Sequence, residues 1–293
     1  VPLVVWDVQR VGPSTGLPTR TAQCDLTLNY FLGHGDTQQI VIIPSSVTEC
    51  FEFGWKAFDI AEKYQTPVIV LSDLDLGMNL WMTKRFEYPD QPIDRGKIFW
   101  EEDLEAFKGE WGRYLDIDGD GIPYRTVVGN AHEKAAYFAR GTGHDDFGHY
   151  NEDPEVWRSL LDRLKKKIEL SRAFLPQPVF RNIPDAEIGL IAMGSTEPAV
   201  IEAQDMLAKA GIPADFMRIS ALPFSEQVRK FIQSHQRNYV FELNRDGQLH
   251  QLLVMENCDL GRKMISSAYI DGLPMTAKWI VNAVCGKEQQ ENV

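Results

Sequence analysis

Short uninterrupted apolar runs alternate along this chain with segments of helical periodicity, and that alternation restricts the fold more than any other feature. Val1 to Trp6, Ile40 to Ile43 and Pro67 to Leu71 read as strands. Thr48 to Tyr64 reads as a helix, with Ser45, Ser46 and Thr48 as N-cap candidates and Phe51, Trp55, Phe58 and Ile60 to Ala61 at helical spacing. A second series runs strand Glu187 to Met193, helix Glu197 or Pro198 to Ala210, strand Ala214 to Ile219, helix Ser225 to Gln236, strand Tyr239 to Leu243. Pro198 in the first turn and Gly211 after the last punctuate its first helix. Strands separated by helices demand crossovers over a parallel sheet covered on both faces. The class is α/β, with a parallel-sheet domain at residues 1–182 and a smaller three-layer α/β domain at 183–293. Pro176, Pro178 and Pro184 mark the boundary. Two cores are expected of 293 residues. Val1 to Trp6 has the character of a strand buried on both faces, yet nothing precedes it to complete a sheet, which suggests a fragment.

Gly77 to Tyr150 is a long stretch rich in glycine, proline, aromatics and charge, of the functional or interfacial kind. Inside it Asp116, Asp118, Asp120 and Gly121 imitate the start of a calcium loop, but Val127 stands where the bidentate carboxylate belongs, so an Asp/Gly turn is the better account. Pro154 to Leu175 reads as a helix with the stripe Trp157, Leu160, Leu161, Leu164, Ile168 and Leu170, its Lys165 to Lys167 cluster on a solvated face. Residues after Gly286 read as a frayed tail. A net charge of −12 argues against nucleic-acid binding. No run approaches the roughly 18 apolar residues of a membrane helix, and a cytoplasmic protein is expected. Cys24, Cys50, Cys258 and Cys285 are scattered and form no iron–sulfur or zinc spacing.

The segment from Arg10 to Thr21 has the strongest chemical character. It follows a strand that open α/β sheets would place beside a ligand crevice. Gly12 and Gly16 permit close approach and unusual dihedrals, and Pro13 and Pro18 stiffen the loop. Arg10 offers a planar fork for a carboxylate, while Ser14, Thr15, Thr19 and Thr21 add hydroxyls. A small-anion site is one reading; a rigid connection with Arg10 in a salt bridge is the other. No Gly-Lys-Ser/Thr follows, so this is not a Walker loop.

The run VVWDVQRVGPSTGLPTRTAQCDL resembles the signature of the alpha subunits of 2-oxoacid:ferredoxin oxidoreductases. AEKYQTPVIVLSD, DGDGIPYRT, AYFARGTGHDD, GSTEPAVIEA and DGLPMTAKWI resemble further segments, in family order over nearly the whole chain. The resemblance implies the remainder of a pyrimidine-binding thiamine-diphosphate domain, followed by a transketolase C-terminal-like domain II. It also implies a beta subunit carrying Mg2+, the cofactor's diphosphate and a [4Fe-4S] cluster. The implied reaction converts a 2-oxoacid, here 2-oxoglutarate, with coenzyme A to acyl-CoA and carbon dioxide, reduces ferredoxin, and runs in either direction. Pyruvate or branched 2-oxoacids are the alternative substrates, and a noncatalytic docking or assembly module is the rival role.

On this resemblance Arg10 binds the substrate carboxylate, Thr19 lies at the same pocket, and Gly12, Pro13, Ser14, Thr15 and Gly16 form the cofactor-pocket loop. Val11, Ala22 and Cys24 depart from the family pattern. The glutamate that activates the cofactor lies upstream in the family, so no catalytic residue is expected here and no activity from this chain alone. Arg140, Thr142 and His144 are expected to border the active site, unless they form a surface interaction loop. Gly194 to Thr196 could receive an anion such as a coenzyme A phosphate, with ordinary capping as the alternative. His132, His149, His235 and His250 have no ligand spacing.

Overall fold

The structure, a computed structural model, describes residues 2–291. Its elements begin β1 (Leu3–Gln9), α1 (Leu26–Tyr30), β2 (Ile40–Ile42), α2 (Val47–Tyr64), β3 (Pro67–Asp73), α3 (Leu74–Met78), α4 (Glu101–Ala106) and α5 (Pro154–Ser171). They continue β4 (Val179–Arg181), β5 (Ile188–Met193), α6 (Glu197–Lys209), β6 (Ala214–Ile219), β7 (Ala221–Leu222), α7 (Glu226–Ser234), β8 (Arg237–Glu242), α8 (Gln248–Glu256), β9 (Met264–Ala268) and α9 (Ala277–Glu291). Among the described residues the strands form one sheet of order β1-β3-β2-β7 and another of order β4-β6-β5-β8-β9. Pairing is parallel except at β2–β7 and β4–β6. The second sheet thus takes in Val179–Arg181, ahead of residue 183, and returns Ala221–Leu222 to the first.

Local chemistry explains the best-formed helix. Ser46 Oγ accepts the amide of Glu49, and Gln65 in the left-handed region closes the other end. Phe53, Ala57, Ile60, Ala61 and Tyr64 then face the first sheet.

Each sheet buries one face in a cluster of its own, and a third cluster is shared between them. Because strand side chains alternate between faces, Ile40, Ile42, Val68 and Val70 pack toward α2, while Val41, Ile43, Ile69 and Leu71 point the other way. There they join Ile191, Met193, Met217, Ile219 and Val240 of the second sheet in a shared cluster. The far face of that sheet buries Leu190, Phe216 and Tyr239 under α6 and α9, with Ile280 and Val284 of α9 fully buried.

Several expectations change. Val1 lies outside the described residues; among the described residues Leu3–Gln9 pairs with β3, and Leu3 is 54% and Trp6 41% exposed. Helix α5 stops at Ser171, and Trp157, Leu164 and Leu170 of its predicted stripe are exposed while Ile168 alone is fully buried. Only the carboxyl-terminal half of α5 meets α2 and the turn at Gly121. Lys167 is not on a solvated face: it is 7% exposed, its Nζ 3.5 Å from Gln65 O. The end of the chain is helical to Glu291, held by a bidentate pair between Arg237 and Glu288. The Asp-Gly turn clasps a lysine: Lys97 Nζ lies 2.6 Å from Asp118 and 2.8 Å from Asp120, and Asp116 accepts the amides of Asp120 and Gly121. No helix among the described residues is long and apolar enough to cross a membrane.

Candidate active site

Parallel pairing in register from Leu3↔Pro67 to Gln9↔Asp73 brings the carboxyl ends of β1 and β3 side by side. The Arg10–Thr21 loop springs from that edge. Its base is pinned by buried Gln9, whose amide donates to Ser72 O at 3.1 Å and whose Oε1 accepts the Asp25 amide at 3.0 Å. The loop then closes on itself. Val11 N donates to Arg20 O (3.1 Å), Leu17 N to Val11 O (3.3 Å) and Arg20 N to Leu17 O (3.1 Å), with the Val11 side chain buried.

The positive φ values expected at the glycines fall instead on Ser14 (φ 52°) and Thr15 (φ 56°), the two residues at the tip; neither Gly12 nor Gly16 has a positive φ, and the Gly12–Pro13 peptide bond is cis. Left-handed backbone costs a side-chain-bearing residue roughly 1–2 kcal/mol, so the closed loop must supply that stabilisation.

Arg10 is exposed and donates through Nη1 to Pro18 O at 3.4 Å. Among the described residues no carboxylate lies within 4 Å of its guanidinium, so the salt-bridge alternative is absent here. Its own carbonyl accepts the Cys24 thiol at 3.4 Å. Burial raises the pKa of that thiol, which keeps it protonated as a donor. Thr19 and Ser14 to Gly16 are exposed on the same loop, whereas Thr21 is buried, its hydroxyl accepting the Asp75 amide at 3.3 Å. Chemically this is a guanidinium fork with no carboxylate partner among the described residues, beside exposed hydroxyls.

Sequence reasoning passed over the residues that hold the loop to the second sheet. Gln23 is buried; its amide donates to Met193 O (3.0 Å) and Thr196 Oγ1 (3.2 Å), and its Oε1 accepts the Leu243 amide (3.1 Å). Asp73 caps α3 through Oδ1, and its Oδ2 accepts the Ser195 hydroxyl at 2.6 Å and its amide at 3.4 Å. The turn at Gly194 to Thr196 therefore receives an anion, but it is the protein's own carboxylate. Asp73 before a short helix was readable as an N-cap; its second partner, 122 residues away, was not.

Arg140, Thr142 and His144 lie in a segment folded around Tyr114. The Arg140 amide donates to Tyr114 Oη (2.9 Å) and its Nε to Gly148 O (3.0 Å). His144 Nδ1 lies 2.8 Å from Thr142 O, and its ring is 4.0 Å from that of Tyr114. Arg113 beside Tyr114 donates to Gln65 Oε1 at 2.7 Å. Gln65 precedes the amino end of β3, and the Arg10 loop follows β1 at the carboxyl end of that strand pair.

A family model described as "Pyruvate flavodoxin/ferredoxin oxidoreductase, thiamine diP-bdg" matches residues 1–108. The "2-oxoacid:ferredoxin oxidoreductase 2, subunit alpha" of Aeropyrum pernix is 33% identical over 260 residues, 86% of this chain and 39% of that one. The "2-oxoglutarate synthase subunit KorA" of Methanothermobacter marburgensis is 33% identical over 249 residues, 83% of this chain and 63% of that one. Among solved structures, the 2-oxoglutarate:ferredoxin oxidoreductase of Magnetococcus marinus with 2-oxoglutarate, coenzyme A and succinyl-CoA bound superposes with a TM-score of 0.86 at 30% identity. That match covers 98% of this chain and 48% of that one. The chain thus spans between 39% and 63% of the length of these relatives.

Proposed function

Given that this chain is a homologue of the alpha subunits of 2-oxoacid:ferredoxin oxidoreductases, we propose that it forms the substrate-acid wall of such an enzyme, acting on 2-oxoglutarate. The observation that carries this reading is the Arg10 guanidinium, exposed and, among the described residues, without a carboxylate partner, on a self-closed loop at the carboxyl end of two parallel strands. Such a fork binds a carboxylate through two charge-assisted hydrogen bonds, and the nearby Thr19 hydroxyl adds a donor.

The residues present fit one side of a thiamine-diphosphate site. The loop offers exposed hydroxyls and open backbone at a sheet edge, and its segment falls within the matched thiamine-diphosphate-binding region. When bound, thiamine diphosphate supplies a carbanion that adds to a keto carbon and accepts the electrons left by decarboxylation. This chain's part is to hold the acid group with Arg10 and Thr19, to orient it through the stiff Gly12–Gly16 turn, and to seat the loop on β3. Orientation of this kind is worth several kcal/mol of barrier when kept rigid.

The proposed partners are a beta subunit bearing Mg2+ and a [4Fe-4S] cluster, coenzyme A and ferredoxin. Cys24, Cys50, Cys258 and Cys285 are free thiols, and a cytoplasmic location is proposed. Arg140, Thr142 and His144 are proposed to border the active site in the complete enzyme.

In the complete enzyme, Arg10→Ala is expected to raise the Michaelis constant for 2-oxoglutarate by about 10- to 100-fold, the cost of losing a charge-assisted pair. Thr19→Val should raise it less. An Arg10→Ala enzyme with unchanged 2-oxoacid kinetics would overturn the assignment. Parallel assays with pyruvate and branched 2-oxoacids test the substrate.

A further inference from the structure

The Arg10 loop is closed from behind by a turn belonging to the second sheet. After β9 the chain passes Tyr269 and reverses at Asp271-Gly272-Leu273. Gly272 O accepts the amide of Thr21 at 3.1 Å, the last hydrogen bond of the loop. Gly272 itself has φ +83°, and a β-carbon placed on it would lie 2.8 Å from Arg20 Cβ, 3.1 Å from Arg20 Cγ and 3.3 Å from Leu17 Cδ1. Those atoms are the closing rung of the loop, since Arg20 N donates to Leu17 O and Arg20 O accepts from Val11. Asp271 holds the turn: its carboxylate accepts the Leu273 amide at 2.8 Å and the Tyr269 hydroxyl. Arg20 lies close enough to help lower its pKa, after the stronger effects of the Tyr269 hydroxyl and nearby amides.

We infer that the Asp271–Leu273 turn is a positioning element for the acid-binding loop, with Gly272 as the residue that sets where Arg10 and Thr19 stand. This rests on the reading of Arg10 as the carboxylate ligand. The physical reason is contact without slack. Arg10 and Thr19 flank a closed loop whose only support on the Leu17–Arg20 side is the Gly272 backbone among the contacts described. A methyl group there cannot be absorbed by a flexible side-chain end, because it meets Arg20 at its β-carbon. It would push the rung outward and displace both ligands together, which lengthens and misaligns the charge-assisted hydrogen bonds that hold the acid group.

The test uses the complete enzyme. Gly272→Ala is expected to raise the Michaelis constant for 2-oxoglutarate about tenfold while kcat and the constant for coenzyme A stay within about twofold, the pattern of lost uniform binding. Asp271→Ala, which loosens the turn without adding bulk, should act in the same direction but more weakly. Asp271→Asn, which keeps an acceptor for the Leu273 amide, should restore kinetics close to the parent.

Should Gly272→Ala fail to assemble, Asp271→Ala against Asp271→Asn carries the test. Equal Michaelis constants in that pair, or an unchanged constant in a well-assembled Gly272→Ala enzyme, would overturn the inference. Hydrogen exchange over residues 10–21 separates this failure from failure of the underlying reading. Faster exchange in Gly272→Ala with no kinetic change in either it or Arg10→Ala means that Arg10 is not the acid ligand. A kinetic effect of Arg10→Ala alone, with exchange unaltered in Gly272→Ala, means that Gly272 does not position it.

Discussion

Lys167 shows how far one residue can stand from what its neighbours in sequence suggest. Within the run Lys165 to Lys167, two lysines face solvent and the third is buried against the end of α2. Burial, with Arg163 and Arg113 adding to it, pushes its ammonium down to about 7. An unfolded lysine titrates near 10.4, so the unfolded chain binds more protons between those values and stability rises with pH across that window. Below about 7 both states are protonated and the penalty is complete; above about 10.4 it vanishes. Lys167→Met should therefore stabilise the fold by on the order of a few kcal/mol at pH 6, with the gain shrinking toward pH 10. Urea denaturation of both proteins at pH 6, 8 and 10 measures this, and a gain independent of pH would show that repacking rather than charge is responsible.

At the scale of elements, the amino ends of α2 and α6 are joined by one buried cation. Arg218 on β6 is 2% exposed and lies 2.6 Å from Glu49 of α2 and 3.0 Å from Glu197 of α6. Ser45 adds a bond from its amide to Glu49 at 2.8 Å and one from its hydroxyl to Glu197. Both glutamates sit in first turns, where a helix dipole favours negative charge. Removing the cation leaves two partly buried carboxylates facing each other. Arg218→Ala is expected to destabilise by about 3–5 kcal/mol, while the double change Glu49→Gln with Glu197→Gln should cost much less in an Arg218→Met background. Thermal melts of the set would show it, and additive losses would contradict a shared network. Helix α2 was legible in detail because capping and periodicity are local. The exposed half of α5 was misread because periodicity gives a helix its apolar stripe but not the neighbour that covers it.

For the molecule as a whole, a shared cluster and the bonds of Gln23 and Asp73 join the two sheets. Unfolding is expected to be a single event despite the length of the chain: near- and far-ultraviolet circular dichroism melts should coincide, and two resolved transitions would refute the joint core. Gln23→Leu keeps the volume but strands the Leu243 amide and the Met193 carbonyl, each costing about 1–3 kcal/mol when buried unpaired. It should lower the midpoint without splitting the transition. The same interlock explains why a turn after β9 reaches a loop after β1.

The α/β class, the order of most elements and the chemical character of the Arg10 loop were contained in the amino-acid order, because alternation, caps and motif spacing act over a few residues. Residues 244–286, with α8 and β9, carried weaker local signals and stayed unplaced. Tertiary structure alone decided that the left-handed positions fall on Ser14 and Thr15, and that the anion at Ser195 is Asp73. It also placed Gln23 and Gly272 behind the loop. Each of these depends on contacts between residues tens to hundreds of positions apart, and a local pattern carries no record of which distant surface will meet it.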